Sequence, residues 1–245
     1  MDLLQFFNLE AMDVYAVLPV SDCSAPEGFH PRNLLPAAKT LIVFGKAVPS
    51  DVYSLGSREK TKKLHEVITL LEKTAARLSQ RYNSEGFTSV PVPSFFPVRV
   101  HKRRIMGFLS LKHCAQEAGL GVIGGNTLLI SPEYGNRLAL GAVVTEKELE
   151  PVLLSIGGTH CFECGKCIKA CPVGALTENG VDVLRCENVS HAVPRSLRPF
   201  FCWMFGKNAM SPLLQRSVNR IAWDTEMLCS RCLTACPHFK ESGKG

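Results

Sequence analysis

A ladder of cysteines in the last third of this chain constrains its fold more than any other feature. The run Cys161-Phe-Glu-Cys164-Gly-Lys-Cys167-Ile-Lys-Ala-Cys171-Pro172 has the spacing CxxCxxCxxxCP. In the bacterial iron-sulfur pattern, three such thiolates wrap one four-iron four-sulfur (4Fe-4S) cluster and the fourth ligates a second cluster. A shorter copy, Cys229-Ser-Arg-Cys232-Leu-Thr-Ala-Cys236-Pro237, repeats the CxxCxxxCP half, with Glu226 where an aligned first cysteine would fall. The two copies must therefore fold against each other, and one thiolate must come from elsewhere.

Cross-ligation assigns Cys161, Cys164, Cys167 and Cys236 to one cluster and Cys171, Cys229 and Cys232 to the other. Cys186 and Cys202 are the candidates for the vacancy. Cys186 is preferred, because it follows the first motif by a short loop within the polar segment Val-Leu-Arg-Cys-Glu-Asn. Two structural zinc sites would also use CxxC pairs, but three closely spaced cysteines followed by CxxxCP reproduce the iron-sulfur arrangement. Eleven cysteines with no basic, apolar leader at the start point to metal ligation in a reducing, cytoplasmic compartment rather than to disulfides. The longest apolar runs, Leu41 to Val48 and Leu138 to Val144, fall well short of the ~20 residues that span a bilayer.

The first ~155 residues read differently from the rest. Leu41-Ile-Val-Phe44, closed by Gly45, is a buried strand. From Arg58 to Tyr82, the residues Leu64, Val67, Ile68, Leu71, Ala75 and Leu78 recur at helical steps and form one apolar face. Three prolines keep Val90 to Pro97 extended, as a connecting loop or edge segment. A second helix is expected over Leu109 to Ala118. Strands are expected over Thr127 to Ile130 and Leu138 to Thr145, paired through the turn-forming loop Ser-Pro-Glu-Tyr-Gly-Asn. This gives a mixed α/β domain over 1–155 and a cluster domain of short helical turns over 156–245.

Gly119-Leu-Gly121-Val-Ile-Gly124-Gly125-Asn126 matches GxGxxG, but a dinucleotide fingerprint needs a strand before the glycines and a helix after them. Here the order is reversed. Bare backbone still admits the close approach of a flat or bulky ligand. Lys112 and His113, just upstream, are the nearest candidates for moving a proton. Cys23 and Cys114 lack ligand spacing and read as small buried residues. The net charge of +6 is modest. Its densest stretch, Arg99, Lys102, Arg103, Arg104 and Lys112, comes without any recognised nucleic-acid module.

The segment from Ala118 to Thr145, followed by the double cluster motif, resembles the epoxyqueuosine reductases and their relatives, the reductive dehalogenases. The resemblance is strong from about Lys112 to Pro237 and weaker over the first hundred residues. It implies a nitroreductase-like α/β domain holding a base-off corrinoid, such as cobalamin, beside a two-cluster ferredoxin-like module. It further implies that Gly119, Gly121, Gly124, Asn126 and Thr127 line the corrinoid pocket. The chain departs from the family at Val122 and Gly125, where Trp and Lys are usual. The family's proton-donating aspartate has no counterpart in Met106-Gly-Phe-Leu-Ser-Leu-Lys-His-Cys-Ala115, and its C-terminal transfer-RNA-engaging repeats have none here either. A substrate other than queuosine is therefore expected.

These readings together imply an iron-sulfur oxidoreductase fed by a low-potential donor such as a ferredoxin or flavodoxin. Two alternatives stay open. One is an electron carrier or reductive activator for a partner corrinoid protein; the other is a reductase that binds FMN.

Overall fold

The computed structural model describes residues 2–95, 99–101, 104–190 and 226–239. Four antiparallel strands form its centre: β1 (Val14–Pro19), β2 (Thr40–Ala47), β3 (Ser89–Val92) and β8 (Leu138–Thr145), in the order β1-β2-β8-β3. The two inner strands are near-continuous apolar runs because both faces of the sheet are covered. Alternation along β2 decides which core each side chain enters. Leu41 and Val43 join Ala16, Leu18, Ala142 and Val144 on one side. Ile42 and Phe44 join Val17 and Val143 on the other.

Helix α2 (Ser57–Ser84) lies on the second side, with Leu71, Ala75, Leu78 and Tyr82 fully buried. The short helix α1 (Leu3–Leu9) adds Phe6 and Phe7, and the Phe7 ring packs 5.0 Å from that of Phe44. At 1.5 Å per residue α2 is roughly 40 Å long, whereas an eight-residue strand spans only about 27 Å. Its N-terminal half therefore overhangs the sheet, which leaves Leu64 and Ile68 of the expected apolar face only half-buried.

Pro91 sits in β3, opposite Val143. It is tolerated there because β3 is an edge strand and the missing N–H has no second neighbour to serve. Ser79 and Asn83 of α2 clamp this edge through hydrogen bonds to the backbone of Ser89. A hairpin of β4 (Arg99–His101) and β5 (Arg104–Met106) follows; Lys102 and Arg103 of the basic stretch lie outside the described residues.

Helix α3 (Leu111–Glu117) covers the opposite face of the sheet, burying Cys114 and Ala115, and runs into the glycine segment. One expectation fails at this point. The strands over 127–130 and 138–145 both exist, but they do not pair with each other. β6 (Val122–Ile123) pairs with β7 (Leu129–Ile130), and β8 pairs with β2 and β3. The loop between β7 and β8 closes on itself through a Ser131–Gly135 bridge, so turn-rich composition there marks a change of sheet rather than a hairpin.

After β8 the chain returns along the sheet edge, with Val152 bridged to Val17 and the Leu154 N–H donating to the Ala118 carbonyl. It then enters short turns. These are α4 (Lys166–Lys169), a β9 (Leu176–Thr177) and β10 (Gly180–Val181) hairpin, α5 (Glu187–Ser190) and α6 (Arg231–Thr234).

Candidate functional site

Left-handed backbone at Glu163 (φ 48°) and Gly165 (φ 66°) curls the 161–165 loop back on itself before α4 begins. Cys167 lies in the first turn of α4 and Cys232 in that of α6, and these two turns pack together. The eight expected ligand thiols then fall into two neighbourhoods. Burial pushes the Cys232 thiol up to about 11, and Cys186, Cys229 and Cys171 beside it, with Cys167 further out, add to the effect. Cys186 is raised by burial and by Cys229 and Cys171. Cys236 is raised by burial and by Cys167, Cys161 and Cys164. The grouping is thus Cys161, Cys164, Cys167 and Cys236 against Cys171, Cys186, Cys229 and Cys232.

The backbone around these thiols suits sulfur that carries negative charge. Burial works to raise the Cys171 thiol, but the N–H groups of Leu176, Val173, Ala175 and Gly174 outweigh it and hold the thiol below its ordinary value. Ala175 N–H lies 3.2 Å from that sulfur. Across the other group, Gly125 N–H donates to Cys161 Sγ at 3.4 Å. Among the described residues no three His, Cys, Asp or Glu side chains close on a single-ion position.

Asn188 is a residue that spacing did not single out. Its side-chain amide accepts from Cys229 N–H at 2.7 Å and donates to the Cys229 carbonyl at 2.8 Å. This two-point brace holds the Cys186 segment against the second motif. Cys202, the competing ligand, lies outside the described residues. The cluster segments are anchored to the α/β part by Asn126 on the Cys232 carbonyl (3.4 Å) and Asn136 on the Leu233 carbonyl (2.9 Å). The overhanging half of α2 also receives them: Met227 N–H donates to Thr61 Oγ1 at 2.7 Å.

The glycine segment divides by function. A Cβ on Gly119 (φ 78°) would stand 1.8 Å from the Leu154 carbonyl oxygen, and one on Gly121 would stand 2.3 Å from that of Ile130. Their bareness is used against the chain's own backbone. Gly124 is buried under Ile130. Gly125 differs: it is exposed, and among the described residues a Cβ there would meet only Cys167 Sγ and Cys161 Sγ, at 3.9 and 4.0 Å. The turn is held by left-handed Thr127 (φ 63°), whose carbonyl accepts from Lys112 Nζ at 2.6 Å. Asn126 is buried and receives the Leu128 N–H. α3 precedes the glycines, β6 lies among them and β7 follows, so strand–glycine–helix order is absent here.

His113 is half-buried, with Nδ1 2.5 Å from Ser110 Oγ. Burial, then the Lys112 ammonium, hold its imidazole below the usual histidine value, against a smaller opposing pull from Glu117.

The thiol groups and their backbone donors define an iron-sulfur protein, and residues 158–177 match the 4Fe-4S binding domain family. Over 141 residues the chain is 41% identical to an epoxyqueuosine reductase of Listeria monocytogenes, a match covering 58% of this chain and 32% of that one. The epoxyqueuosine reductase of Bacillus subtilis is 27% identical over 173 residues, covering 64% and 40%. The chain therefore spans well under half the length of these curated relatives. Its fold is similar to that of the epoxyqueuosine reductase from Streptococcus thermophilus, with a TM-score of 0.62 at 19% identity over 96% of this chain and 65% of that one. It is also similar to a reductive dehalogenase described with a mechanism for B12-dependent dehalogenation, with a TM-score of 0.54 at 13% identity, covering 95% and 40%. The resemblance to epoxyqueuosine reductases thus holds in sequence and in fold, and that to reductive dehalogenases in fold.

Proposed function

We propose that this chain is an iron-sulfur reductase whose two 4Fe-4S clusters deliver single electrons to an acceptor seated at the Gly124 to Thr127 turn. The observation that carries the reading is the Gly125 N–H on Cys161 Sγ: the exposed end of the glycine segment touches a thiol of the first group directly. A bound cluster supplies one-electron transfer at a potential tuned by such hydrogen bonds and by burial. Cys161, Cys164, Cys167 and Cys236 would hold the cluster nearer the turn, and Cys171, Cys186, Cys229 and Cys232 the one nearer an external donor such as a ferredoxin or flavodoxin.

The acceptor we favour is a base-off corrinoid. Gly125 leaves an open, side-chain-free surface over the sulfur atoms, with Asn126 and Thr127 at its rim and Gly119 and Gly121 setting the backbone beneath. The reductive dehalogenase of similar fold, described with B12-dependent dehalogenation, supports the same choice. On this reading residues 1–155 form a nitroreductase-like domain and residues 156–245 the ferredoxin-like one. Lys112 positions the turn through the Thr127 carbonyl. A neutral His113, held that way by burial, receives or returns a proton. The stretch from Met106 to Ala115 holds no carboxylate, which supports a substrate other than queuosine. Among the described residues no helix is long and apolar enough to cross a membrane, and a cytoplasmic setting is part of the proposal.

Anaerobically reconstituted protein mixed separately with cobalamin and FMN tests this. Co-elution of cobalamin, lost in Gly125→Trp while iron content stays at the wild-type level, is the expected result. Retention of FMN alone would replace the corrinoid with a flavin. Retention of neither would leave an electron carrier serving a partner corrinoid protein.

A further inference from the structure

Among the described residues, two thiols belong to neither ligand group. Cys23 follows the turn after β1, and Cys114 lies in α3, 91 positions later in the chain. The fold brings their sulfurs to 2.8 Å. Both sit in the core on the α3 side of the sheet, 5% and 0% exposed. Two sulfur atoms that are merely packed rest further apart than this. A disulfide needs about 2.05 Å, so joining them asks for a movement under about 1 Å. The surroundings hold the pair in place: next to Cys23, the Ser24 hydroxyl donates to the Glu117 carboxylate, three residues on from Cys114. α3 is thus fastened to the β1 loop at two points.

We propose that Cys23 and Cys114 form a reversible disulfide, a redox site separate from the cluster thiols, with a small peroxide as oxidant. Cys23 is the nucleophile. It is the more exposed of the two, and the hydrogen bond the two thiols share holds Cys23 below the ordinary value and Cys114 above it. The Cys23 thiolate attacks one peroxide oxygen, forming an S–O bond and breaking O–O, and the departing hydroxide takes the Cys114 proton to become water. The Cys114 sulfur then attacks the Cys23 sulfur, forming S–S and expelling a second hydroxide, which solvent protonates. The two thiols lose two electrons, and hydrogen peroxide becomes two waters.

Trypsin reads this cleanly, because peptides 1–32 and 113–137 each carry a single cysteine. Anaerobic holo-protein would be treated with a few equivalents of hydrogen peroxide, alkylated in denaturant, digested without reductant and mapped by mass spectrometry. The disulfide-linked 1–32/113–137 pair should rise at least ten-fold over untreated protein, vanish after dithiothreitol, and form with no loss of iron. Recovery of both peptides as separately alkylated thiols would overturn the proposal. So would Cys23 linked instead to a cluster cysteine, or oxidised alone to a sulfinic acid in the wild type. Cys114→Ser, where it folds, should show that unlinked oxidation of Cys23.

Discussion

Gly119→Ala and Gly125→Ala form a matched pair that separates a glycine required by packing from one left open. At Gly119 the added methyl would stand 1.8 Å from the Leu154 oxygen and 2.6 Å from its carbonyl carbon, on backbone with φ 78°. The left-handed conformation costs an alanine about 1–2 kcal/mol, and forcing a carbon into filled space costs about 1–3 kcal/mol more. Leu154 cannot retreat freely, because its N–H is bonded to Ala118 and Val152 is bridged to β1. The sum of about 2–5 kcal/mol corresponds to a fall in Tm of roughly 4–20 °C for a chain of this size. At Gly125 the same methyl meets two sulfur atoms at 3.9 and 4.0 Å, which is ordinary contact, and the change should stay within about 0.5 kcal/mol. Thermal unfolding of the anaerobic holo-proteins, followed by far-UV circular dichroism, measures both. Equal melting of Gly119→Ala and wild type, or equal losses in the two variants, would refute the division of the glycine segment.

Two further outcomes follow from the site. Wild-type protein should hold about eight irons and about eight acid-labile sulfides per chain, falling by about half in Cys186→Ala and unchanged in Cys202→Ala; the reverse pattern in the two variants would move the eighth ligand. The His113 imidazole should titrate below the ordinary 6.5 seen by NMR for an exposed histidine. Because its folded value is depressed, the unfolded chain binds the proton more readily. This contribution to stability is therefore complete above the unfolded pKa and is lost as pH falls toward the folded one. A midpoint at or above 6.5 in the folded protein would contradict the burial argument.

Much of the α/β layering was legible before folding. The apolar run at 41–44 reads as a buried strand, and the three- and four-residue steps from Leu64 to Leu78 as one face of a helix. The prolines of 90–97 left a connecting loop or an edge segment open, and Pro91 lies in edge strand β3. The failures share a cause. The pairing of 127–130 with 138–145 was inferred from turn chemistry, which reports that the chain bends but not which partner it meets. The glycine segment looked like open backbone because sequence shows a missing side chain without showing what fills its place. Leu154 and Ile130 fill it at Gly119 and Gly121, whereas among the described residues a Cβ at Gly125 would meet two sulfur atoms at ordinary contact distance.

The sequence by itself carries the proposed two ligand quartets, down to a choice between Cys186 and Cys202, because the CxxC and CxxxCP spacings within each motif are short and covalently fixed. Tertiary structure decided what those spacings could not encode. The Asn188 brace sets Cys186 beside Cys229, the Gly125 N–H reaches Cys161 across 36 positions, and Cys23 meets Cys114 across 91. Contacts between residues so far apart in the chain are set by which faces of the sheet and helices are buried together, and no local pattern in the residues themselves records that choice.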